Sequence, residues 1–278
     1  MNAAARPSPS HFARAFIIWV VLSVIADGVA LLIGPYFVDW GILPSVASAR
    51  AEDINQVLRL FTLLSLPVFF MVVVFAGYSV FQFRSRGRPD TDGPPVRGNQ
   101  PFQLAWLAVS IVLVVVLFGY GLVFLSNVNA APTGDVLQVN VTGEQWLRDY
   151  SYPQYNNISG SLLELPVGRP VMFTIHSIDV QHSFWIPSFG IKQDAVPGEV
   201  THISVTPNKI GEYVVRCAEL CGLYHAYMNT PVKVVSSADF DAWVASQQAS
   251  SATGRVAPAA LAVGERIVQR SSLVLGRM

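Results

Sequence analysis

Thiol is nearly absent from this sequence of 278 residues: Cys217 and Cys221 are its only cysteines, too few for a disulfide framework. Charge is scarce as well. Only 13% of the residues are charged against 52% hydrophobic, which is too apolar for an ordinary soluble domain. The formal net charge is zero, which excludes a strongly basic nucleic-acid binder. No Cys-x-x-Cys-His occurs anywhere, so no haem is expected in this chain.

What the chain does have is long apolar runs. Residues 15–34, 57–83 and 102–126 are each long enough to cross a hydrocarbon core, which takes about 20 helical residues. Asp27 lies inside the first run, at a cost of roughly 2.5 to 3.5 kcal/mol for insertion. Arg6 and Arg14 precede that run as in a signal peptide, but the candidate cleavage tripeptide Ala47-Ser48-Ala49 lies well beyond its end. A retained first helix is therefore expected. Arg84, Arg86, Arg88 and Arg97 separate the second and third runs, whereas only Arg50 lies between the first and second. By the positive-inside rule the arginine-rich loop is cytoplasmic, so everything after Ser126 lies outside a bacterial plasma membrane.

Beyond Ser126 the pattern changes to short alternating stretches bounded by Gly, Pro and Asn, which predicts an antiparallel sheet structure. Candidate strands are 136–142, 145–152, 161–165, 171–176, 200–206, 212–216 and 231–235. Seven short strands in about 110 residues predict an all-β Greek-key sandwich or barrel. A short helix over 238–247 follows. The expected division is thus an N-terminal extension with the first span (1–56), a transmembrane helical hairpin (57–126), an extracytoplasmic β-domain (127–248) and a tail (249–278), basic over 261–278. From 127 to 250 there are eleven acids against six bases, a net of minus five, so the outer domain is acidic.

The chemistry is concentrated in CAELCGLYHAYM, residues 217–228. Cys217, Cys221, His225 and Met228 fall on one loop between two predicted strands, where their side chains can converge. Thiolate, imidazole and thioether together select copper over hard cations, and an axial Met marks copper electron-transfer sites. A mononuclear blue-copper site uses one Cys. Two thiolates this close can bridge a pair of copper ions, which then need a second imidazole. His11 is on the wrong side of the membrane, leaving His176, His182 and His202. His182 is preferred, because DVQHSFWIPSFG surrounds it with apolar residues and a proline that would fix the ring, while the other two lie inside alternating strands.

These residues resemble a known family, subunit II of the cytochrome c oxidases, whose copper motif reads C-x-E-x-C-x-x-x-H-x-x-M. Cys217, Glu219, Cys221, His225 and Met228 match it at every position. The likeness extends through VTGEQW (141–146), DVQHSFWIPSFGIKQDAVPG (179–198) and VKVVSSADFDAW (232–243), and covers about residues 55–247. It implies a cupredoxin domain with a binuclear copper centre: Cys217 and Cys221 bridging, His182 and His225 terminal, Met228 axial on one copper and the Glu219 carbonyl on the other. The Glu219 side chain is then a ligand for magnesium at the border with subunit I. Trp146 matches the aromatic residue through which electrons enter from cytochrome c, and Asp179 and Asp194 match acidic docking positions. Subunits I and III, cytochrome c and the lipid bilayer are the implied partners, with no nucleic acid. The implied activity is that of an electron-transfer subunit in a proton-translocating oxidase, with oxygen reduced at haem in subunit I.

Two departures from the family stand out. A second Trp commonly follows the first by two residues, where this chain has Arg148, a cation expected to weaken attraction to a basic donor. A Glu often opens the last membrane helix, where this chain has Gln103, which exchanges no proton. Rival readings are a membrane copper-delivery protein, with a thioredoxin-like alternation of strands and helices, a structural zinc site, and the copper-bearing subunit of a nitric oxide reductase.

Overall fold

Three long apolar helices carry the first part of the chain: α1 (Pro9–Ile33), α2 (Ala49–Gln82) and α3 (Gln100–Val128). The computed structural model describes residues 9–34, 44–84 and 98–252. At 1.5 Å per residue even α1, with 25 residues, exceeds the roughly 30 Å of hydrocarbon it would cross. All three have the length and composition of membrane spans, and they leave large apolar side chains such as Leu32, Phe81 and Val109 uncovered. Asn99 caps α3, its side-chain oxygen accepting from the Phe102 amide at 3.3 Å. Pro67 lies inside α2, and its carbonyl accepts the Trp19 indole N–H of α1 at 2.7 Å. A second polar contact joins the same helices, with His11 Nδ1 2.9 Å from the Tyr78 hydroxyl. Arg86, Arg88, Arg97 and the basic tail over 261–278 lie outside the described residues.

The second part is a sandwich of two five-stranded sheets. Its strands are β1 (Leu137–Glu144), β2 (Leu147–Tyr152), β3 (Ile158–Gly160), β4 (Leu163–Pro166), β5 (Val171–Ser177), β6 (His182–Ile186), β7 (Ile191–Ala195), β8 (Thr201–Val205), β9 (Gly211–Arg216) and β10 (Asn229–Val235). One sheet has the order β3-β2-β1-β5-β8, the other β4-β10-β9-β6-β7. Pairing is antiparallel except for β1 with β5 and β10 with β4. Strict alternation in β1 turns Leu137, Val139 and Val141 inward. They meet Phe173 and Ile175 of β5 and the inner faces of β6, β9 and β10 in one core. Helix α4 (Ser237–Ala252) closes an end of this core with Phe240 and Val244. Ser236 caps it reciprocally with Asp239, accepting its amide at 3.1 Å and donating to its carboxylate at 2.6 Å.

The seven predicted strands are present. Three more, β3, β6 and β7, lack the alternation that betrays a strand: β6 is buried at four of its five positions, a pattern periodicity cannot distinguish from a loop or helix turn. The closing helix is also longer than the 238–247 expected. A larger difference concerns 43–55, expected with the N-terminal extension. This stretch belongs to the same compact unit as the β-sandwich, whereas the remaining residues of α1, α2 and α3 form the other unit. Ala47 and Ser48 are fully buried there. The Ala47 amide donates to Ser188 O at 2.8 Å, and Ala47 O accepts from the Asn208 amide at 3.0 Å. The Ser48 hydroxyl donates to Phe189 O at 2.7 Å and accepts the Ala51 amide at 3.0 Å, capping α2. Gly190, at φ +64°, permits the approach: a Cβ there would stand 2.9 Å from Ile54 Cδ1 and 3.0 Å from Ala51 Cα.

Candidate metal centre

The strand β9 ends at Arg216 and β10 begins at Asn229, and the copper-motif loop occupies the interval. Cys217 leaves β9 with its amide bonded to Met228 O at 3.3 Å, so the two ends of the loop are tied where the antiparallel ladder stops. A short 3-10 turn over His225–Tyr227 then aims the histidine back at the cysteines. The result is a small apolar cluster of Cys217, Cys221 and Met228 with Trp146 packed against it.

The donor atoms converge. The two Sγ atoms lie 3.7 Å apart as free thiols. Cys217 Sγ is 4.0 Å from His182 Nδ1 and 3.2 Å from the Glu219 carbonyl. Cys221 Sγ is 3.6 Å from His225 Nδ1 and 3.8 Å from Met228 Sδ. Thus every side chain of the expected ligand set except that of Glu219, which contributes its carbonyl, faces one of the two sulfurs. Among the described residues, His182, Cys217 and Cys221 form a group with all donor atoms within 4.8 Å of one another. His176 and His202, the competing candidates, instead face Thr142 at 3.4 Å and Thr174 at 3.3 Å. Burial pushes the Cys221 thiol up to about 11, with its hydrogen bond and charge coupling to Cys217 acting in the same direction. Metal uptake at neutral pH would therefore displace thiol protons. Two thiols, two imidazoles, a thioether and a carbonyl are a soft set that fits copper and excludes calcium or magnesium between the sulfurs.

His182 opens β6, and its orientation is set from behind. Its Nε2 lies 2.9 Å from Asp179 Oδ1, which selects the tautomer that leaves Nδ1 bare toward Cys217. Gly143 leaves room for the ring: a Cβ there would come within 3.1 Å of His182 Cδ2. Asp179 also accepts the Val180 and Gln145 amides, each at 2.6 Å. Burial alone would raise this carboxyl, but the hydrogen bonds from His182, Val180 and Gln145 outweigh it and hold it below the usual carboxylate range. Asp179, expected at a docking position, thus commits both oxygens to the interior face of the site. A carboxylate three residues before a candidate ligand His was the signal available in the sequence.

Trp146 donates its indole N–H to Cys221 O at 3.2 Å, and Gln145 Nε2 donates to the same carbonyl at 2.7 Å. Tyr224 stands edge-on to Trp146, with ring centroids 4.8 Å apart. The Glu219 carboxylate points away from the thiols and pairs with Lys192 Nζ at 3.2 Å. Asp194 sits on β7 opposite Ser183 and enters no ion pair among the described residues. Arg148 corrects the sequence expectation: it is 3% exposed, points inward from β2, and presents no cation to a docking partner.

Comparison with known proteins shows the family. The family described as cytochrome c oxidase subunit II, periplasmic domain, matches residues 159–235. Cytochrome c oxidase subunit 2 of Synechocystis sp. is 29% identical, the match covering 82% of each chain. That of Thermostichus vulcanus is 30% identical over 78% of this chain and 82% of its own length. Among solved structures, the periplasmic domain of subunit II of cytochrome oxidase of Bradyrhizobium japonicum is 29% identical, covering 43% of this chain and 97% of that one at a TM-score of 0.41. Relatives matched over 82% of their own length, one of them 30% identical, together with the converged sulfur and imidazole donors, place the chain in the cytochrome c oxidase subunit II family, as an electron-transfer subunit of an oxidoreductase complex anchored in a membrane.

Proposed function

We propose that this subunit accepts electrons from cytochrome c at a binuclear copper centre and hands them to the haem-bearing subunit I, where oxygen is reduced. The observation that carries the reading is the pair of free sulfurs 3.7 Å apart, each flanked by its own imidazole. Cys217, Cys221, His182, His225, Met228 and the Glu219 carbonyl would hold the copper. Copper supplies a one-electron couple at this position. The protein holds the donors still: β9 and β10 fix the loop ends, Asp179 fixes His182, and Gln145 and Trp146 fix the Cys221 carbonyl.

Trp146 is the residue through which electrons enter, since its indole is bonded directly to the backbone of a bridging cysteine. Asp194 and the net acidity of the outer domain would steer a basic donor. The Glu219 side chain would serve a magnesium ion at the border with subunit I. Its exposed pair with Lys192 is no obstacle, because surface ion pairs are worth only about 0 to 1 kcal/mol.

The topology follows the same reasoning. One compact unit contains both 43–55 and the sandwich, and a folded unit lies on one side of a bilayer. This supports both the α1–α2 connection and the copper domain being extracytoplasmic, as the arginine distribution requires. The Trp19 and His11 contacts to α2 support a retained α1, giving three spans. Ala47 and Ser48 of the candidate cleavage tripeptide are buried in the sandwich unit, which makes it a poor peptidase substrate.

The test is an absorption and EPR spectrum of the copper-loaded full-length chain in detergent. A purple species with one unpaired electron shared over two coppers is expected. Cys217→Ser and Cys221→Ser should each abolish it. Bound zinc, a mononuclear copper signal, or a serine variant that keeps the wild-type spectrum would refute the binuclear assignment. The thioredoxin-like architecture required of a copper-delivery protein is not what the sheets form.

A further inference from the structure

Alternation along β2 exposes Leu147 and Asp149 and buries Arg148, Tyr150 and Tyr152. An arginine thus occupies an inward position of the sheet beside the metal loop. Its guanidinium has two described acceptors, both backbone carbonyls: Nη1 donates to Met228 O at 3.0 Å and Nη2 to Ser183 O at 2.8 Å. Met228 closes the ligand loop, and Ser183 follows His182 on β6. One planar fork therefore spans from the loop that carries four donors to the strand that carries the separate histidine. The Met228 carbonyl is shared with the Cys217 amide, so the fork also reaches the start of the loop.

The charge is the second half of the argument. Among the described residues Arg148 takes part in no ion pair, and a buried ion without a partner is strongly disfavoured. Guanidinium does not lose its proton in a protein. Two carbonyls take the place of an acid around Arg148, and Cys221 Sγ, 3.8 Å from Met228 Sδ, would bring negative charge to the same loop when it holds copper as a thiolate. A fixed cation behind a redox centre favours whichever oxidation state carries more electron density.

We propose that Arg148 is a positioning residue for the copper centre that clamps Met228 to the His182 strand, and that its buried positive charge favours the reduced state of that centre. The inference rests on the copper reading above and concerns a residue at which this chain departs from the tryptophan common in the family it resembles.

The experiment is redox titration of the copper-loaded full-length chain in detergent, followed by EPR and absorption, for wild type, Arg148→Met, Arg148→Trp and Arg148→Lys. Both neutral variants should shift the reduced-to-oxidised ratio at a given potential about tenfold toward oxidised, which is about 59 mV for a one-electron couple. The shift should persist in high salt, because a buried charge is little screened. Arg148→Lys should keep most of the wild-type potential while broadening the copper hyperfine pattern, since an ammonium cannot span both carbonyls. Neutral variants that fold but fail to take up copper, while Arg148→Lys takes it up, would also support the charge requirement. A Trp or Met variant with the wild-type ratio within twofold overturns the charge role, and a lysine variant with an unaltered hyperfine pattern overturns the clamp. Failure of all three to fold would make Arg148 a structural residue and overturn the proposal. If the wild-type chain itself shows no binuclear copper spectrum, the parent reading fails instead.

Discussion

Asp179 separates two roles that the sequence alone could not. As a docking acid it would act on the donor from a distance; as the partner of His182 it would act on the metal. The geometry favours the second. Replacing it by Ala strands three donors, the His182 Nε2–H and the Val180 and Gln145 amides, at 2.9, 2.6 and 2.6 Å from its present oxygens. A hydrogen bond to a charged group is worth about 1.5 to 3 kcal/mol. The carboxylate is 29% exposed, so water can replace part of what is lost, and the imidazole contact is the one coupled to the metal. That leaves about 1.4 to 2.7 kcal/mol, or roughly 10- to 100-fold weaker copper binding, the range typical of losing a carboxylate behind a ligating histidine. Asp179→Asn retains an acceptor but loses the charge, so a smaller loss in the same direction is expected. Competition titration of the metal-free full-length chain against a copper chelator measures both. If Asp179→Ala binds copper as tightly as wild type while cytochrome c oxidation by the assembled enzyme falls only at low salt, the positioning role is wrong and the docking role stands.

Two further outcomes follow from features away from the sulfurs. Gly190→Ala places a methyl group against Ile54 and Ala51 at a left-handed backbone position; it should cost about 1 to 3 kcal/mol and expose 44–52 to limited proteolysis in the detergent-solubilised chain, and an unaltered cleavage pattern would show that this stretch is not held by the sandwich. Glu164 is 8% exposed, and burial, opposed by Lys233 and reinforced by Asp239, raises its carboxyl above 4.5. The native state then binds more protons than the unfolded one between 4.5 and the raised value, so stability falls as pH rises through that window. Glu164→Gln should remove this component and raise the melting temperature at pH 7 but not at pH 4; an equal change at both would rule out ionisation as the cause.

How far the sequence could be read depended on the kind of signal. The membrane helices announce themselves because a bilayer demands some 20 apolar residues in succession, and nothing in tertiary packing can hide that. The copper loop was legible because four of its donors are local: Cys217, Cys221, His225 and Met228 lie within twelve residues, and β9 and β10 on either side alternate plainly. The fifth, His182, was found from the rigidity of its surroundings, although it begins a strand, β6, whose nearly continuous burial conceals it from any test of period two. What stayed illegible was the support behind the ligands. Gln145 and Gly143 act through contacts with residues 76 and 39 positions away, and composition says nothing about such pairs, whereas Asp179, three residues before His182, left a local signal.

Arg148 is the instructive case, because the same letter supports opposite conclusions until its face of the strand is known. Read as a surface cation it repels a basic donor, and the acidic outer domain would have to overcome it. The neighbouring pattern settles the matter in retrospect: Tyr150 and Tyr152 are the buried aromatics of β2, and a period of two then carries position 148 inward with them. An inward arginine without an acid is costly, so its retention in the fold requires something negative at the end of its reach. The chain places the Met228 carbonyl there, 3.0 Å away, on the residue whose sulfur lies 3.8 Å from Cys221 Sγ. Charge that looked like a flaw in a docking surface is instead turned inward, onto carbonyls of the donor loop and of the His182 strand.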